Sequence, residues 1–576
     1  MESRVWHEAY DPEVSPEVHF RELTLRDFVA NAAKNFGDRP ALSFLNMVMT
    51  YGELSDKVDR LATALSRLGV EKNSRVAVQL PNTPQSVISF FAVQRLGAQA
   101  VMTNPLYVPR EIEHQWIDAG CEHAIVADFI YDQKLRGIRH QLPVREYIIA
   151  SVPEYLRFPL KQLAPLKLKR AKPPLVAKIE PGPGIHHFRP LVDGTPPSPP
   201  HVDIEMDDLA LLQYTGGTTG VSKAAMLTQR NLSYNTQQIR QWFSAMKDGD
   251  EVLLAALPFF HIFGVTVVAC LSSFIAAEMA LVANPRDIAS VVKTLVARKV
   301  TLLPAVPAMF GSINRFPDIE KKDLRSIRYS FSGSAPMPLD IQQEFERLTG
   351  TVLLEGYGLT ETSPVATVNP IKGKRKIGTI GIPIPNTDVR LVDVETGTND
   401  VALGEVGEVW IRGPQVMPGY WNRDDETAEA FGPDGWFKTG DLAVMDDEGY
   451  FRIVGRKKDM ILASGYNIYP DEIDQVLSMH PDVLESCTIG VPDPRRGETV
   501  KAFIVLHPGR SLTAEEVTAY CRENLASYKI PRLIEFRDEL PRSSVLKLLR
   551  RALRDEEIGK QDADREGKPT GGEPAR

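Results

Sequence analysis

Ten consecutive residues, Tyr214-Thr-Gly-Gly-Thr-Thr-Gly-Val-Ser-Lys223, combine glycines and hydroxyls with a closing lysine. Successive glycines let backbone N–H groups converge on an anion, hydroxyls add donors, and the lysine brings a mobile positive charge. That chemistry is a cradle for a polyphosphate. The pattern G-x-x-x-x-G-K-[ST] does not apply, because Lys223 stands three residues after Gly220 and no hydroxyl follows it to hold magnesium. Further clusters follow in order: Glu355-Gly-Tyr-Gly-Leu-Thr-Glu361, Thr439-Gly-Asp441, Gly455-Arg-Lys-Lys-Asp459 and, close to the end, Lys547.

In that order and at those separations, the set resembles the adenylate-forming superfamily of acyl-CoA synthetases, aryl-CoA ligases, luciferases and peptide-synthetase adenylation domains. The likeness covers nearly the whole chain. The stretch Asp434 to Lys458, with Asp434-Gly-Trp-Phe-Lys-Thr-Gly-Asp-Leu at its head, is similar to the extended signature of bacterial long-chain fatty acyl-CoA synthetases. The resemblance implies ATP-dependent conversion of a fatty acid to acyl-AMP with pyrophosphate release, then transfer to coenzyme A, with Mg2+ as metal. The logic is chemical: a carboxylate is a poor acyl donor, whereas its mixed anhydride with AMP is open to a thiol. Bringing a carboxylate oxygen to an α-phosphate requires negative charge to be neutralised around the phosphoryl group.

The same resemblance implies the roles. Thr215, Gly216, Gly217, Thr218, Thr219, Gly220 and Lys223 would hold the β- and γ-phosphates. Glu361, with Thr218, would hold magnesium, and Thr360 would contact the α-phosphate. Glu355, Gly356, Tyr357 and Gly358 would flank the adenine, with Gly333, Ser334 and Ala335 on the acyl and adenine side. Asp441, a carboxylate with two acceptor oxygens, would take the ribose hydroxyls from the protein surface. Arg456 would reach the same ribose, and Ile453 joins the AMP-binding set. Lys547 would be the adenylation lysine, a compact charge bridging carboxylate and α-phosphate. Lys458 would be the hinge, and Ser464, Gly465 and Tyr466 would face the coenzyme A channel, a plain turn being the alternative for Gly465. His261 would wall the carboxylate site, a satisfied core histidine being its alternative. Three positions depart from the usual pattern: Leu546 precedes Lys547 where glycine is customary, Ala224 follows Lys223 where glycine is customary, and Gly455 stands where the long-chain synthetases often have aspartate.

The rest of the chain must position these groups. Its 576 residues exceed one ordinary core, and 43% hydrophobic content suffices to bury more than one. A net charge of -8 argues against a nucleic-acid partner. Four scattered cysteines, Cys121, Cys270, Cys487 and Cys521, suggest neither a zinc site nor a disulfide framework and fit a reducing cytoplasm. The N-terminus does not read as a secretory signal.

Leu54, Val58, Leu61, Leu65 and Leu68 recur at helical spacing, and Arg75–Leu80 alternates as a strand. Repetition of this plan predicts an α/β fold: a large N-terminal domain of helix-covered parallel sheets with ligands at strand C-terminal ends, and a β-rich barrel-like subdomain after Gly381. A small, mobile α+β C-terminal domain would follow. The expected bounds are 1–455, a hinge at 456–459, 460–558, and a disordered tail at 559–576. Val252 to Ala277 lacks any charged residue, but Pro258, His261 and Gly264 interrupt it, so a buried strand and core helix are expected rather than a membrane span.

Residues 151–180 carry Arg157, Lys161, Lys167, Lys169, Arg170, Lys172 and Lys178 against Glu154 and Glu180 alone. Two readings stand: peripheral docking on anionic membrane, or a solvated insertion packing its leucines on its own domain. Prolines 159, 165, 173 and 174 argue against one long helix. The leading functional expectation is a long-chain fatty acid:CoA ligase. Alternatives are a medium-chain or aryl-CoA ligase, a fatty acyl-AMP ligase, or a fatty-acid-binding protein without catalysis. The 29 residues after Lys547 are too few for a fused carrier domain. Monomer and homodimer stay open.

Overall fold

A computed structural model describes residues 4–215, 222–463, 466–493, 495–542 and 548–566, with side chains described as far as 560. The chain divides into two compact units. The first is Met1–Val389 with Ile411–Phe437 and Glu448–Tyr450; the second is Arg390–Trp410, Lys438–Asp447 and Phe451–Arg576.

Local signals fix the first unit's elements. Helix Tyr51–Arg67 opens on a reciprocal cap, with Glu53 N–H donating to Thr50 Oγ1 at 3.2 Å and Thr50 N–H to Glu53 Oε2 at 2.8 Å. Its Leu54, Val58, Leu61 and Leu65 are buried, as the spacing predicts. Strands Arg75–Gln79 and His123–Ala127 are near-continuous apolar runs because helices cover both faces of a parallel sheet. One sheet of seven strands runs in the order Ile185–His187, Glu146–Ala150, His123–Ala127, Arg75–Gln79, Gln99–Met102, Leu209–Thr215, Lys223–Thr228; only the last pair is antiparallel. A second sheet of nine strands includes, side by side, Leu302–Ala305, Tyr329–Ser332, Leu353–Gly358 and Val365–Val368. Helices Pro307–Asn314 and Leu339–Thr349 cover it, with Phe310 and Phe345 fully buried and their rings 4.8 Å apart. This packing fixes the strand ends from which the site loops emerge.

The uncharged segment behaves as expected. Val252–Ala255 is a strand, the chain turns, and Phe263–Cys270 is a wide helical turn buried at every residue. A β-carbon on Gly264 would come within 2.2 Å of Pro258 O, so only glycine fits that turn. Among the described residues no helix is long and apolar enough to cross a membrane. All four cysteines are free and buried.

The second unit holds most of a four-stranded sheet, in the order Asp388–Val392, Gly407–Arg412, Phe437–Met445, Phe451–Arg456. It also holds a five-stranded sheet in which Gly497–Leu506 pairs with Val483–Asp493, Ile461–Ala463 and Leu533–Phe536. Helices Pro470–Ser478, Ala514–Asn524 and Arg550–Glu566 complete the unit. Two expectations need correction. The compact division does not fall at 455, because strand Phe437–Met445 pairs in register with Phe451–Arg456 and carries 438–447 into the second unit. The tail does not begin at 559: the last helix runs through Gly559 to Glu566, and Lys560 Nζ lies 2.9 Å from Glu556 and 2.7 Å from Glu557. Residues 567–576 lie outside the described residues.

The basic segment also departs from one reading. Helix Leu160–Lys169 contains Pro165 and buries none of its residues fully; Leu163 and Leu166 are exposed whereas Leu160 and Leu168 are half-buried, so the leucines pack on the domain only in part.

Candidate active site

Strands Leu209–Thr215 and Lys223–Thr228 pair with Thr215 opposite Lys223. The glycine-threonine cradle therefore spans the connection of this antiparallel pair; its residues Gly216, Gly217, Thr218, Thr219 and Gly220 lie outside the described residues. Ala224 is fully buried in its strand, so the sheet accommodates its β-carbon. On the far side of the Lys223 strand runs Gly419-Tyr420-Trp421: Trp421 N–H donates to Ala224 O at 2.9 Å and Met226 N–H to Gly419 O at 3.0 Å. This pairing carries Tyr420 under Lys223, whose Nζ sits 3.7 Å from the ring centroid. Lys223 Nζ is also 2.9 Å from Glu426 Oε2.

The Tyr420 hydroxyl donates to Glu361 Oε1 at 2.8 Å. Burial, and next the Glu361 charge, raise its pKa far above the ordinary phenol value, so the hydroxyl stays a donor. Glu361 lies on the short 3-10 turn Thr360–Thr362, pinned by Met417 N–H donating to Glu361 O at 2.8 Å. One tyrosine thus touches both the cradle lysine and the motif carboxylate. Sequence reasoning passed over Tyr420 and Glu426. Their signal was present as an aromatic pair followed by Asp424-Asp-Glu426, but no local pattern says which sheet edge that segment joins.

Glu355, Gly356, Tyr357 and Gly358 form the end of strand Leu353–Gly358, beside the loop Gly333-Ser334-Ala335 that follows strand Tyr329–Ser332. Met337 N–H donates to Glu355 Oε1 at 3.3 Å, joining loop and strand. Burial pushes the Glu355 carboxyl up to about 8, only partly offset by that bond. A β-carbon on Gly358 would stand 1.9 Å from Pro364 O, which explains the glycine where the chain doubles back. Ser334 adopts φ +74 in its exposed loop. His261 accepts Phe263 N–H at Nδ1, 3.2 Å away, and is half-buried.

In the second unit, Asp441 faces Arg456 across the antiparallel pair, with Asp441 Oδ1 2.8 Å from Arg456 Nε. Asp441 is 3% exposed, which corrects the expectation of a surface carboxylate. Thr439 Oγ1 accepts Asp441 N–H at 3.0 Å. Ile453 lies opposite Ala443 in the same pair. Lys458 is exposed in the 3-10 turn Lys457–Asp459 that ends the strand. Ser464 and Gly465 lie outside the described residues, between the paired Ala463 and Tyr466; the exposed Tyr466 ring stacks on Tyr528 at 4.6 Å.

Lys547 also lies outside the described residues, but the stem that carries it does not. Arg542 bridges to Leu548, and Leu549 N–H donates to Pro541 O at 2.9 Å. The Arg542 guanidinium pairs with Glu485, and Arg550 pairs with Asp471 and, at 2.6 Å, with Asp474. Both sides of the lysine loop are tied to the unit's sheet and first helix.

Residues 29–421 match the AMP-binding enzyme family and residues 472–547 the AMP-binding enzyme C-terminal domain. The chain is 42% identical over 558 residues to a long-chain-fatty-acid--CoA ligase of Yersinia pestis, covering 96% of this chain and 98% of that relative. It is 41% identical to the enzyme of that name from Bacillus subtilis, with the same coverage of both chains. Among solved structures, ATP-bound MatB from Rhodopseudomonas palustris superposes with TM-score 0.81 at 28% identity over 93% of this chain and 99% of that one. The anthranilate CoA ligase AuaEII with anthranoyl-AMP superposes with TM-score 0.82 at 25% identity over 94% and 98%. The chain belongs to the AMP-binding enzyme family. It is an adenylate-forming enzyme with the two-part organisation of that family, an α/β N-terminal region and a small α+β C-terminal domain.

Proposed function

We propose that the protein is an AMP-forming long-chain fatty acid:CoA ligase. The observation that carries this is the near-full-length likeness to ligases of that name. It is supported by the geometry in which Lys223 and Glu361 meet on one tyrosine. In the first step a carboxylate oxygen attacks the α-phosphorus of ATP, a P–O bond forms, and the bond to pyrophosphate breaks. Thr215, the cradle glycines and threonines, and Lys223 take the β- and γ-phosphates; Thr360 meets the α-phosphate. Gly356 and Tyr357 flank the adenine, and Asp441 with Arg456 takes the ribose. Lys547 bridges carboxylate and α-phosphate.

Magnesium commonly binds through one or two carboxylates plus substrate phosphates. A single oriented carboxylate, Glu361, beside a phosphate lysine fits that donor set, and no cluster of three or more metal-binding side chains occurs among the described residues. The ion would neutralise polyphosphate charge. In the second step the coenzyme A sulfur attacks the acyl carbon, the thiol proton departs, and AMP leaves. The turn at Lys458 acts as the hinge, presenting first Lys547 and then the Ser464-Gly465-Tyr466 face. The enzyme works in the cytoplasm with peripheral contact on anionic membrane.

The decisive assay is a panel of C6 to C20 fatty acids and cinnamates with ATP, Mg2+ and CoA. Carboxylate-dependent AMP and pyrophosphate are expected, with thioester formed fastest from the longer acids. ADP as product would remove the adenylation mechanism; acyl-AMP accumulating without use of CoA would make the enzyme an acyl-AMP ligase.

Tyr420→Phe keeps the ring beneath Lys223 but removes the hydrogen bond to Glu361. Loss of one charge-assisted bond predicts a roughly ten-fold rise in the magnesium concentration for half-maximal rate, with kcat recovered at saturating magnesium. An unchanged magnesium titration would reduce Tyr420 to a packing residue.

A further inference from the structure

Both arms of the phosphate cradle are tied to one helix. Tyr214, on the strand that leads into the cradle, donates its hydroxyl to Asp118 Oδ2 at 2.6 Å, and Ser222, where the chain returns, has its carbonyl oxygen 3.2 Å from His114 Nε2. The two partners stand on helix Pro109–Ala119, one turn apart and so on one face. A carbonyl can only accept, which makes the His114 ring the donor to Ser222. Burial, and next the hydrogen bond to Asp118, raise the Tyr214 pKa well above the ordinary phenol value. The tyrosine therefore stays a donor.

Asp118 also reaches the segment that runs beyond the Lys223 strand. Its second carboxylate oxygen, Oδ1, lies 3.2 Å from the Arg423 guanidinium, and its main-chain oxygen accepts Trp421 Nε1–H at 3.1 Å. Arg423 Nε stands 3.7 Å from Glu426 Oε1, and the other oxygen of Glu426 is the one 2.9 Å from Lys223 Nζ. Charges thus alternate from Asp118 through Arg423 and Glu426 to the cradle lysine. The Asp118 side chain is only 13% exposed. Holding a strand in place does not call for a carboxylate there, since exchanging a buried ion pair for apolar side chains is often neutral or stabilising. What the charge adds is direction, because charge-assisted hydrogen bonds fix the geometry of the hydroxyl and the guanidinium fork.

We propose that Asp118 is a positioning residue for adenylation: with His114 it fixes the two arms of the cradle, and through Arg423 and Glu426 it aims the Lys223 ammonium at the polyphosphate. The proposal rests on the reading that this cradle takes the β- and γ-phosphates of ATP. Donors that meet phosphoryl charge act best when preorganised, since nothing then has to reorient as charge develops. Asp118 acts through Tyr214 and Arg423 and touches no substrate itself. Its loss should show in ATP binding, and not in the acid or coenzyme A, which meet other groups.

The test measures the Kd of ATP with Mg2+ by calorimetry on the full chain, and KM separately for ATP, fatty acid and CoA. Asp118→Asn, nearly isosteric, is expected to raise the ATP Kd and KM roughly ten-fold, the loss of one charge-assisted hydrogen bond, with the KM values for acid and CoA unchanged. Arg423→Met should do the same. Combining it with Asp118→Asn should raise the ATP values little beyond either single change, because both variants break one line of contacts. Tyr214→Phe and His114→Phe each remove one neutral donor and should raise the ATP values about five-fold. Asp118→Glu, which keeps the charge, should recover part of the loss. If Asp118→Asn fails to fold, Tyr214→Phe and Arg423→Met carry the test. Unchanged ATP binding in the folded variants, KM values rising together for all three substrates, or additive effects in the double variant would each overturn the proposal. A wild-type enzyme that adenylates cinnamates in place of fatty acids would instead sink the long-chain reading and leave the role of Asp118 to be decided by the ATP values alone.

Discussion

Lys547→Ala is expected to abolish acyl-AMP formation while leaving supplied acyl-AMP able to react with coenzyme A. The first half-reaction drives a carboxylate onto an anionic phosphoryl group, and a point charge that touches both is worth most where their charges merge. Removing such a group costs at least roughly a hundred-fold in the chemical step. The second half-reaction joins a thiol to an already activated acyl carbon and gives that lysine nothing to neutralise. ATP–pyrophosphate exchange reads the first step, and AMP release from synthetic dodecanoyl-AMP with CoA reads the second. Equal loss of both in a folded variant would break the division of labour. Retention of full exchange would mean that Leu546 has displaced the lysine and another cation serves. Arg542 is a poor substitute, since its guanidinium is already engaged with Glu485.

Much of the architecture was legible because its signals are local. The helix Tyr51–Arg67 announced itself through the spacing of Leu54, Val58, Leu61 and Leu65, and the strand Arg75–Gln79 through its alternation, although the structure buries it as a near-continuous run. The Thr215 to Lys223 cradle and the Glu355 to Glu361 run could be read from residue types alone, since glycine, hydroxyl and carboxylate chemistry is encoded position by position. What joins them could not. Tyr420 meets Lys223 and Glu361 only because Gly419–Trp421 lies along the edge of a strand almost 200 residues earlier, a tertiary pairing with no local trace.

The remaining misreadings share that cause. The surface position expected of Asp441 as a ribose ligand fails because the antiparallel partner strand, which places Arg456 opposite it, lies ten and more residues on. The tail was read as disordered from composition, yet a lysine three and four residues after two glutamates extends the helix past Gly559. Composition likewise flagged the basic segment but left its leucines undecided, since exposure depends on what the rest of the domain offers them.

The same long-range logic makes Arg550 the most consequential residue outside the named motifs. It stands three residues after Lys547, at the start of the last helix, and its guanidinium bonds Asp471 and Asp474 on helix Pro470–Ser478. Asp474 in turn accepts Thr488 Oγ1–H at 2.7 Å and Thr488 N–H at 3.1 Å from strand Val483–Asp493. Arg550→Met would leave two partly buried carboxylates without their cation. Stranding a buried partner costs about 3–5 kcal/mol, and the lower end applies because these side chains keep some solvent contact. The second unit should therefore lose roughly 3 kcal/mol, seen as faster hydrogen exchange across Pro470–Ser478 and Val483–Asp493 with the sheets of the first unit unaffected. Both half-reactions should fall together, unlike Lys547→Ala, because the stem of the lysine loop and its supporting sheet loosen as one. Arg550→Lys should recover only part of the protection, since an ammonium cannot fork between two aspartates. Adding Asp471→Asn and Asp474→Asn to Arg550→Met should restore most of it by removing the stranded charge. Exchange rates unchanged in Arg550→Met would show that the ion network is incidental and that apolar packing alone holds the lysine loop in place.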